Sequence, residues 1–340
     1  MFTPPCCPHP FCSSHEKGSF TYQCRGSFRR ALDGRIVQRY GCGTCGKTFS
    51  DQTFRLDYRL RRLNLTAPAF WLFVSKVTHR QSARFLSCAR GTVHHRLELL
   101  GRHSRDFHVR QMKRLTGALP PDLALDELET YETDRRLKPV TVPVLLHEMS
   151  WFVLDVQVAP LPSRGGLRPK DQERRERMVE LEGRRRSGST EAVGKCFSNV
   201  APLLAPGAPG MLRTDQKKTY VQLKKKLLPQ QLLHVRISSK EARGLDNPLF
   251  RINTTLAMMR DGASRLVRRT WGASKLREQL EKHLWIWVVY RNYVRRMINR
   301  SPRTSAASLL GLFGTLLPMD DLLGLVPQFR SDPQGVRTAS

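Results

Sequence analysis

The second quarter of the chain carries the apolar spacing of packed helices. Val93, Leu97 and Leu100 recur at i, i+4 and i+7, which predicts a helix with one buried stripe. Residues 78–86 would form a shorter helix before it, and residues 87–91 the turn between the two. This pattern predicts a helix-turn-helix, although any amphipathic helical hairpin would show the same spacing.

From Pro120 onward the pattern changes from helical to strand-like. Three stretches alternate or run apolar with β-branched residues, which predicts an antiparallel meander: 123–131, 140–146 and 151–159. An exposed helix near 172–181 follows, and then helix, strand, helix and strand are predicted at 189–204, 210–215, 220–228 and 232–237. The order βββ-α-β-α-β-α is that of the RNase H-like fold. We therefore predict an α/β domain with a mixed sheet and flanking helices over residues 120–300.

Two more helices and a tail are predicted toward the C-terminus. Asn247 and Pro248 make a good helix start, so a helix should run from Pro248 to about residue 269. Residues 275–298 repeat apolar side chains at helical spacing, which predicts a core or partner-facing helix. The alternative is a nucleobase-stacking role for Trp285 and Trp287. Residues 301–340 mix leucine with Gly, Pro and Ser, and we expect a loosely attached tail.

Six of the eight cysteines fall within the first 45 residues. In a reducing compartment such clustering favours metal binding over disulfides. The pair Cys42 and Cys45 forms a Cys-x2-Cys knuckle, and Cys7 and Cys12 supply the other half. Cys6, His9 and Cys24 are alternative ligands, and Cys88 and Cys196 are expected to be small buried hydrophobes. Four thiolates at about 2.3 Å would hold one structural Zn²⁺, which predicts a zinc ribbon over residues 1–52. The alternative is that some of these thiols are merely buried.

The charge balance narrows the class of partner. The chain has 58 Lys and Arg against 29 Asp and Glu, a formal net charge of +29. Such a surface attracts polyanions, with nucleic acid as the first candidate and an anionic membrane as the second. No stretch reaches the roughly 18 uncharged apolar residues of a membrane span, and no secretory signal is recognisable. We expect a cytoplasmic protein that does not span a membrane.

This charge indicates a nucleic-acid-binding function for the helix-turn-helix, which is assigned to residues 53–115. The exposed face of its second helix would carry polar and basic side chains: Arg90, Thr92, His94, His95 and Arg96. A face of this kind can enter a major groove, with the helix N-terminus nearest the base edges. Double-stranded DNA is therefore the expected partner.

Two aspartates stand where an RNase H-like fold carries metal ligands. Asp126 lies on the first strand of the meander and Asp215 at the end of the fourth strand. Two divalent ions about 3.5–4 Å apart on such acids would activate the attacking hydroxyl and stabilise the leaving oxygen of a phosphodiester. Mg²⁺ or Mn²⁺ is the expected ion. Alternatively each aspartate is a solvated strand cap. The neighbouring acids are expected to form a solvated edge, with Glu127 or Glu129 able to assist: Glu127, Glu129, Glu132 and Asp134.

The chain resembles bacterial insertion-sequence transposases of the DDE type, in particular the insertion-sequence-one group. The matching residues are Cys42-Gly-Thr-Cys45-Gly-Lys-Thr-Phe-Ser50, Leu125-Asp126-Glu127, Thr214-Asp215 with Tyr220, and Arg265-Leu-Val-Arg-Arg-Thr270 followed by Ser274-Lys275. The resemblance runs from about Cys7 to Arg300. It implies two-metal cleavage and strand transfer at the ends of an insertion sequence. It also implies element ends and target DNA as partners, a homo-oligomer on DNA and a bacterial, nucleoid-associated location.

The third acid departs from the family pattern. Aligning the helix before residue 270 without gaps places Asn253, 38 residues after Asp215, where the family has its catalytic glutamate. Arg260 lies seven residues later on the same helical face and would hold DNA phosphates, together with Lys224, Lys225 and Lys226. An amide oxygen can bind Mg²⁺ but brings no charge. Asp261 and Asp246 are the reserve candidates, and a site without a third ligand is the remaining option.

The missing carboxylate keeps two other functions open. The first is a non-catalytic DNA-binding protein derived from such a transposase. The second is a repair or RNA-directed nuclease on the same fold. Metal-dependent cleavage of a DNA end separates the transposase from the binding protein, and the preferred sugar of the substrate separates the nuclease.

Overall fold

The computed structural model describes residues 2–15, 20–238, 240–242, 244–267, 272–298, 303–325 and 327. The chain forms two compact units, Met1–Pro68 with Pro318–Ser340, and Ala69–Leu317. Residues 53–68, predicted as part of the helix-turn-helix region, thus cluster with the N-terminal unit. The rest of that region shares the second unit with the main sheet.

The first unit is built on a three-stranded antiparallel sheet. Its strands are β1 (Tyr22–Arg29), β2 (Ile36–Cys42) and β3 (Thr48–Ser50), in the order β1-β2-β3. The ring of Tyr40 stacks on Phe49 at 5.6 Å, and Phe54 packs edge-on against Phe49 at 5.9 Å. Tyr40 and Phe54 are fully buried. This aromatic core holds together a small unit whose β1 is exposed along nearly its whole length.

Three helices open the second unit: α1 (Thr66–Val74), α2 (His79–Phe85) and α3 (Arg90–Lys113). A capping box between Thr78 and Gln81 starts α2. The predicted stripe on α3 is confirmed, because Val93, Leu97 and Leu100 are at most 1% exposed. At 24 residues, α3 is longer than the hairpin alone would need. Its additional length packs against a helix near the C-terminus, described below.

The second unit contains one mixed sheet. Its strands are β4 (Asp122–Tyr131), β5 (Pro139–His147), β6 (Phe152–Val156), β7 (Ala159–Pro160), β8 (Gly210–Asp215) and β9 (Leu232–Ile237). The order is β6-β5-β4-β8-β9, with β7 paired to β5. The pairs β4/β5 and β5/β6 are antiparallel, whereas β4/β8 and β8/β9 are parallel. The predicted meander and the two later strands are confirmed.

Helices cover both faces of this sheet. The remaining helices are α4 (Pro169–Glu182), α5 (Ser189–Val200), α6 (Lys218–Leu227), α7 (Phe250–Gly262), α8 (Arg277–Val289), α9 (Ala306–Leu309) and α10 (Met319–Gly324). The helix α4 has no buried residues, α9 packs against residues 290–294, and α10 clusters with the first unit. Ala124 and Leu128 of β4 share a core with α7 and α8. The side chain between them, Glu127, bonds to α5 and α6. Since strand side chains alternate, α5 and α6 lie on the opposite face.

The helix α8 packs along α3. A side chain at Gly101 of α3 would approach the backbone of Lys282 to 2.9 Å, so only glycine permits this close contact. The predicted helix over 275–298 is observed as α8, followed by π-helical turns at Tyr290–Val294. The predicted continuation of α7 to residue 269 is not observed, because the helix ends at Gly262.

The segment predicted as a loose tail is partly packed. Ala306 and Ala307 of α9 are fully buried, and the ring of Phe313 lies 5.7 Å from Tyr293. Residues 301–302, 326 and 328–340 lie outside the described residues. Among the described helices, none is long and apolar enough to cross a membrane.

Candidate active site and metal centre

Four cysteines of the first unit converge on one point. The Sγ atoms of Cys7, Cys12, Cys42 and Cys45 all lie within 4.8 Å of one another. Cys7 and Cys45 are 3.7 Å apart, and Cys12 and Cys42 are 3.8 Å apart. A tetrahedron with Zn–S bonds of about 2.3 Å has edges of about 3.8 Å. The donor set and its spacing therefore fit a structural Zn²⁺.

The backbone around the knuckle favours thiolates. Gly46 adopts a positive φ of 69°, and its N–H donates to the Cys42 carbonyl at 3.0 Å, which closes the turn. Burial raises the pKa of Cys42, but backbone hydrogen bonds from Cys45 and Thr44 outweigh burial and bring the pKa to about 7. The alternative ligands do not join the cluster: Cys24 is exposed on β1, and His9 contacts Lys47.

Asp126 and Asp215 occupy neighbouring strands at corresponding positions. The parallel register pairs Asp122 with Met211 and Ala124 with Arg213. This pairing ends at Ala124 and Arg213, and two residues further along each strand stand Asp126 and Asp215, the last residue of β8. Both aspartates are half-buried. Two carboxylates are thus presented where the central pair of parallel strands ends.

Short-range hydrogen bonds orient these two carboxylates. Asp126 Oδ1 accepts from the Glu127 N–H at 2.7 Å, and Asp215 Oδ1 accepts from the Lys217 N–H at 2.9 Å. Burial raises the pKa of the Tyr220 hydroxyl well above its usual range, and the charges of nearby acids, Asp215 and Asp126 among them, add to this effect. Both aspartates therefore act electrostatically on one point at the start of α6.

Glu127, expected at a solvated edge, is in fact buried. Its side chain is 10% exposed and accepts hydrogen bonds from four side chains on β5, α5 and α6. Tyr220 donates to Oε1 at 2.6 Å, Thr141 and Ser189 donate to Oε2 at 2.7 Å each, and Lys217 donates to Oε1. Burial raises the pKa of Glu127, yet the bonds led by Lys217 outweigh it and leave the pKa below its ordinary value.

The alternation of β4 separates the roles of Asp126 and Glu127. Asp126 shares a face with Ala124 and Leu128, on the α7 side of the sheet. Glu127 faces α5 and α6. Glu132 is also buried rather than solvated, and it pairs with Arg185 at 2.7 Å. The period-two pattern of this strand assigns Asp126 and Glu127 to opposite faces, but it carries no sign of the donors that Glu127 meets.

The third position falls on α7, which runs in the same direction as β4. At its start Arg251 donates to the Glu148 carbonyl at 2.6 Å, and the Glu148 N–H donates to Asp122 at the beginning of β4. Near its end Arg260 donates to the Glu129 carbonyl at 3.4 Å. Asn253 lies on the same flank of α7 as Arg260. This flank therefore meets β4 at Glu129, three residues beyond Asp126.

The two reserve acids lie elsewhere. Asp261 is 85% exposed and pairs with Lys76 at 3.2 Å, about 100° around α7 from Arg260. Asp246 is exposed in the segment before α7. Within the part of the chain that the structure describes, the four thiols are the one group of three or more Cys, His, Asp or Glu close enough to share an ion. Among the described residues, no third carboxylate joins Asp126 and Asp215 in such a group.

The residues predicted to bind DNA divide into exposed and buried ones. Arg90, His94 and His95 of α3 are exposed, and Thr92 is half-buried. Arg96, predicted on the same exposed face, is only 3% exposed. The prediction was wrong because Arg96 follows Val93 by three residues and precedes Leu100 by four, which places it on the buried side.

On α6 and α7 the predicted phosphate-binding side chains also differ in their surroundings. Lys225 and Lys226 are exposed. Lys224 donates to the Gln230 carbonyl at 2.9 Å. Arg260 is half-buried beside β4. Of the family motif before α8, residues 268–270 lie outside the described residues.

Comparison with known proteins adds no relative. No protein-family model matches the chain, and a search of curated proteins finds no match. The functional argument therefore rests on the geometry of the two sites and on the motifs in the sequence.

Proposed function

We propose that the protein is a DNA transposase of the DDE type that cleaves and joins strands at the ends of an insertion sequence. The observation that carries this proposal is that Asp126 and Asp215 lie on the adjacent parallel strands β4 and β8, each two residues beyond the last position paired between them. The strand order β6-β5-β4-β8-β9, with two antiparallel pairs followed by two parallel pairs, supports an RNase H-like catalytic domain.

Asp126 and Asp215 would hold the divalent ions. When bound, Mg²⁺ or Mn²⁺ supplies activation of the attacking hydroxyl and charge stabilisation at the leaving oxygen. Hard carboxylate oxygens at a half-buried strand end suit these cations. Glu127 and Lys217 would hold the segments on which the two aspartates lie, because they form an ion pair on the face of the sheet that α5 and α6 cover.

Other residues of the chain would position the DNA. Lys225 and Lys226 present exposed charge on α6, and Arg260 presents a guanidinium beside β4, close to the flank of Asn253. The zinc ribbon and the pair α2 and α3 would recognise element ends, with Arg90 and His94 at the start of α3. Each phosphate neutralised in this way strengthens binding and makes it sensitive to salt.

The second candidate is a DNA-binding protein without catalytic activity. One observation favours it: Asn253 carries an amide where the family has glutamate. The exposed Asp261, the reserve candidate for that acid, pairs with Lys76 instead. Such a protein would keep the zinc ribbon and the basic surfaces but would not cleave DNA.

A cleavage assay separates the two. Purified protein is incubated with duplex DNA that includes the regions flanking its own coding sequence, with Mg²⁺ or Mn²⁺. Asp126→Ala and Asp215→Ala should each abolish strand cleavage and leave DNA binding intact. Glu191→Ala removes a carboxylate that is 72% exposed on α5 and should cleave like the wild type. Absence of cleavage by the wild type with either ion would favour the binding protein, and cleavage of RNA strands alone would favour a nuclease.

A further inference from the structure

A cationic cleft opens beside the first turn of α3. Its volume is about 720 Å³, and its walls come from the start of α2, the start of α3 and the chain between α7 and α8. Six of its described lining residues are basic: His79, Arg80, Arg90, His94, Arg265 and Lys275. Among the described residues that line it, none is Asp or Glu.

The inner wall of the cleft carries a positive charge that no carboxylate balances among the described contacts. The Arg265 guanidinium donates to Ser274 Oγ at 2.8 Å and to His79 Nε2 at 3.2 Å, and neither acceptor is charged. Burial lowers the pKa of Arg265 to about 10. Burial and then the charge of Arg265 lower the pKa of His79 to about 3. A bound anion would therefore relieve an unfavourable field.

The nearest acid on α3 is already engaged. Glu98 accepts hydrogen bonds from Lys282 and Gln279, and it lies 3.9 Å from His94 at the outer side. It does not line the cleft. The first turn of α3 contains no acidic residue, and its N-cap Ala89 offers no side-chain cap. The partial positive charge of a 24-residue helix thus adds to that of the side chains.

We propose that this cleft holds phosphate groups of a DNA strand, which passes between the start of α3 and the chain that precedes α8. The choice of DNA as the polyanion rests on the proposed function. An open cleft of this volume, with the charges of Arg80, Arg90, Arg265 and Lys275 drawn from three separate segments, suits a run of backbone phosphates better than one small ion.

The cleft wall is joined to the strand that carries Asp126. Thr130 of β4 donates to the Arg265 carbonyl at 3.5 Å, and the Thr133 N–H donates to the Ser274 carbonyl at 2.8 Å. Both contacts lie within the second compact unit. DNA gripped by Arg265 and Lys275 is thereby held at a fixed place relative to Asp126. The cleft would link recognition by α3 to chemistry on β4.

Binding of fluorescently labelled duplex DNA to the full-length, zinc-loaded protein tests the cleft. No Mg²⁺ is added, so that binding is measured apart from cleavage. Arg90→Ala and Lys275→Ala should each weaken binding on the order of fivefold and lower the salt slope by about 0.9 for each phosphate that is no longer neutralised. Both residues are exposed, so neither change should impair folding. Lys170→Ala, which removes an exposed charge from α4, is the matched control and should stay within about twofold of the wild type.

Three results would overturn the proposal. The first is equal weakening by Lys170→Ala, which would make net charge the cause. The second is wild-type affinity in both cleft variants. The third is a calorimetric titration in which the wild type binds pyrophosphate and both cleft variants do not, although both variants bind DNA normally. That result would make the cleft a site for a small free anion. Failure of the proposed function would look different, because it would show as absent cleavage with intact DNA binding.

Discussion

Lys217 donates a hydrogen bond to Glu127, and these residues stand directly beside the two candidate metal ligands in sequence. Glu127 follows Asp126 by one residue, and Lys217 follows Asp215 by two. Glu127 points to the α5 and α6 side of the sheet, whereas Asp126 points to the α7 side. The ion pair therefore holds both acidic segments in place from the face opposite to the carboxylate of Asp126. Glu127 and Lys217 are positioning residues in the proposed mechanism.

Removing Glu127 should destabilise the second unit. Glu127→Ala would leave the buried hydroxyl of Tyr220 and the partly buried Lys217 without their acceptor, a loss of about 3 kcal/mol in the free energy of unfolding. Urea unfolding followed by circular dichroism measures it. Glu129→Ala, two residues along the same strand, removes a carboxylate that is 56% exposed and should cost less than about 1 kcal/mol. Equal losses in both variants would contradict the role of Glu127.

Much of the fold follows from local patterns in the sequence. The strands β4, β5 and β6 and the start of α3 show strong period-two or helical spacing, and the structure has them close to the predicted bounds. The helix α3 continues to Lys113, well beyond Leu100, the last residue of the predicted stripe. The four cysteines could also be predicted, since Cys-x2-Cys spacing constrains a turn by itself. Such elements depend on neighbours in sequence, which is why a single sequence suffices.

Features that depend on partners far away in the chain could not be predicted. Glu127 is buried because it meets donors from three other elements, and its nearest sequence neighbours give no sign of them. The charge of Arg96 favours an exposed position, but its spacing from Val93 puts it on the buried side of α3. At the end of α7, Gly262 lies close to a residue distant in the chain: a side chain there would come within 2.5 Å of the Trp287 ring.

The cysteine cluster should bind one Zn²⁺ per chain. Mass spectrometry under native conditions should show a single zinc ion in the wild type and none in Cys42→Ser or Cys45→Ser, because each variant lacks one of four ligands. Cys24→Ser is the matched control, since Cys24 is exposed on β1 and lies outside the cluster, and it should retain the metal. A first unit that stays folded without zinc would rule out a structural role for the ion.

Stability should depend on pH through Asp155 of β6. Burial raises the pKa of this carboxyl to about 6, against hydrogen bonds from Asn199, Gln157 and the Val156 N–H. A folded-state pKa above the unfolded value means that the folded chain binds the proton more tightly. The contribution of Asp155 to stability therefore falls as pH rises from about 4 to about 6, and it is constant above that range.

The comparison with Asp155→Asn isolates this effect. The stability of the variant relative to the wild type should increase by about 2 kcal/mol between pH 4.5 and pH 7.5, measured by urea unfolding at both values. Asp261→Asn, at a side chain that is 85% exposed, is the matched control. A gap between Asp155→Asn and wild type that does not change with pH would show that burial leaves this carboxyl unshifted.

The last prediction concerns the missing third carboxylate. Asn253 lies on the flank of α7 that follows β4, whereas Asp261 is exposed and paired with Lys76. If Asn253 occupies the third ligand position, Asn253→Glu adds a negative charge beside Asp126 and Asp215. The Mg²⁺ concentration that gives half-maximal cleavage should then fall on the order of tenfold, since cation affinity follows the number of charged ligands. Direct titration with Mn²⁺ should show the same gain in affinity without reference to activity.

Asp261→Ala should leave both measurements unchanged, because its carboxylate points away from the sheet-facing side of α7. Loss of cleavage in Asp261→Ala together with full cleavage in Asn253→Ala would instead make Asp261 the ligand. That outcome would require α7 to shift along its axis as well as turn when the metal binds, since Asp261 lies about 80° around and about 12 Å along the helix from Asn253.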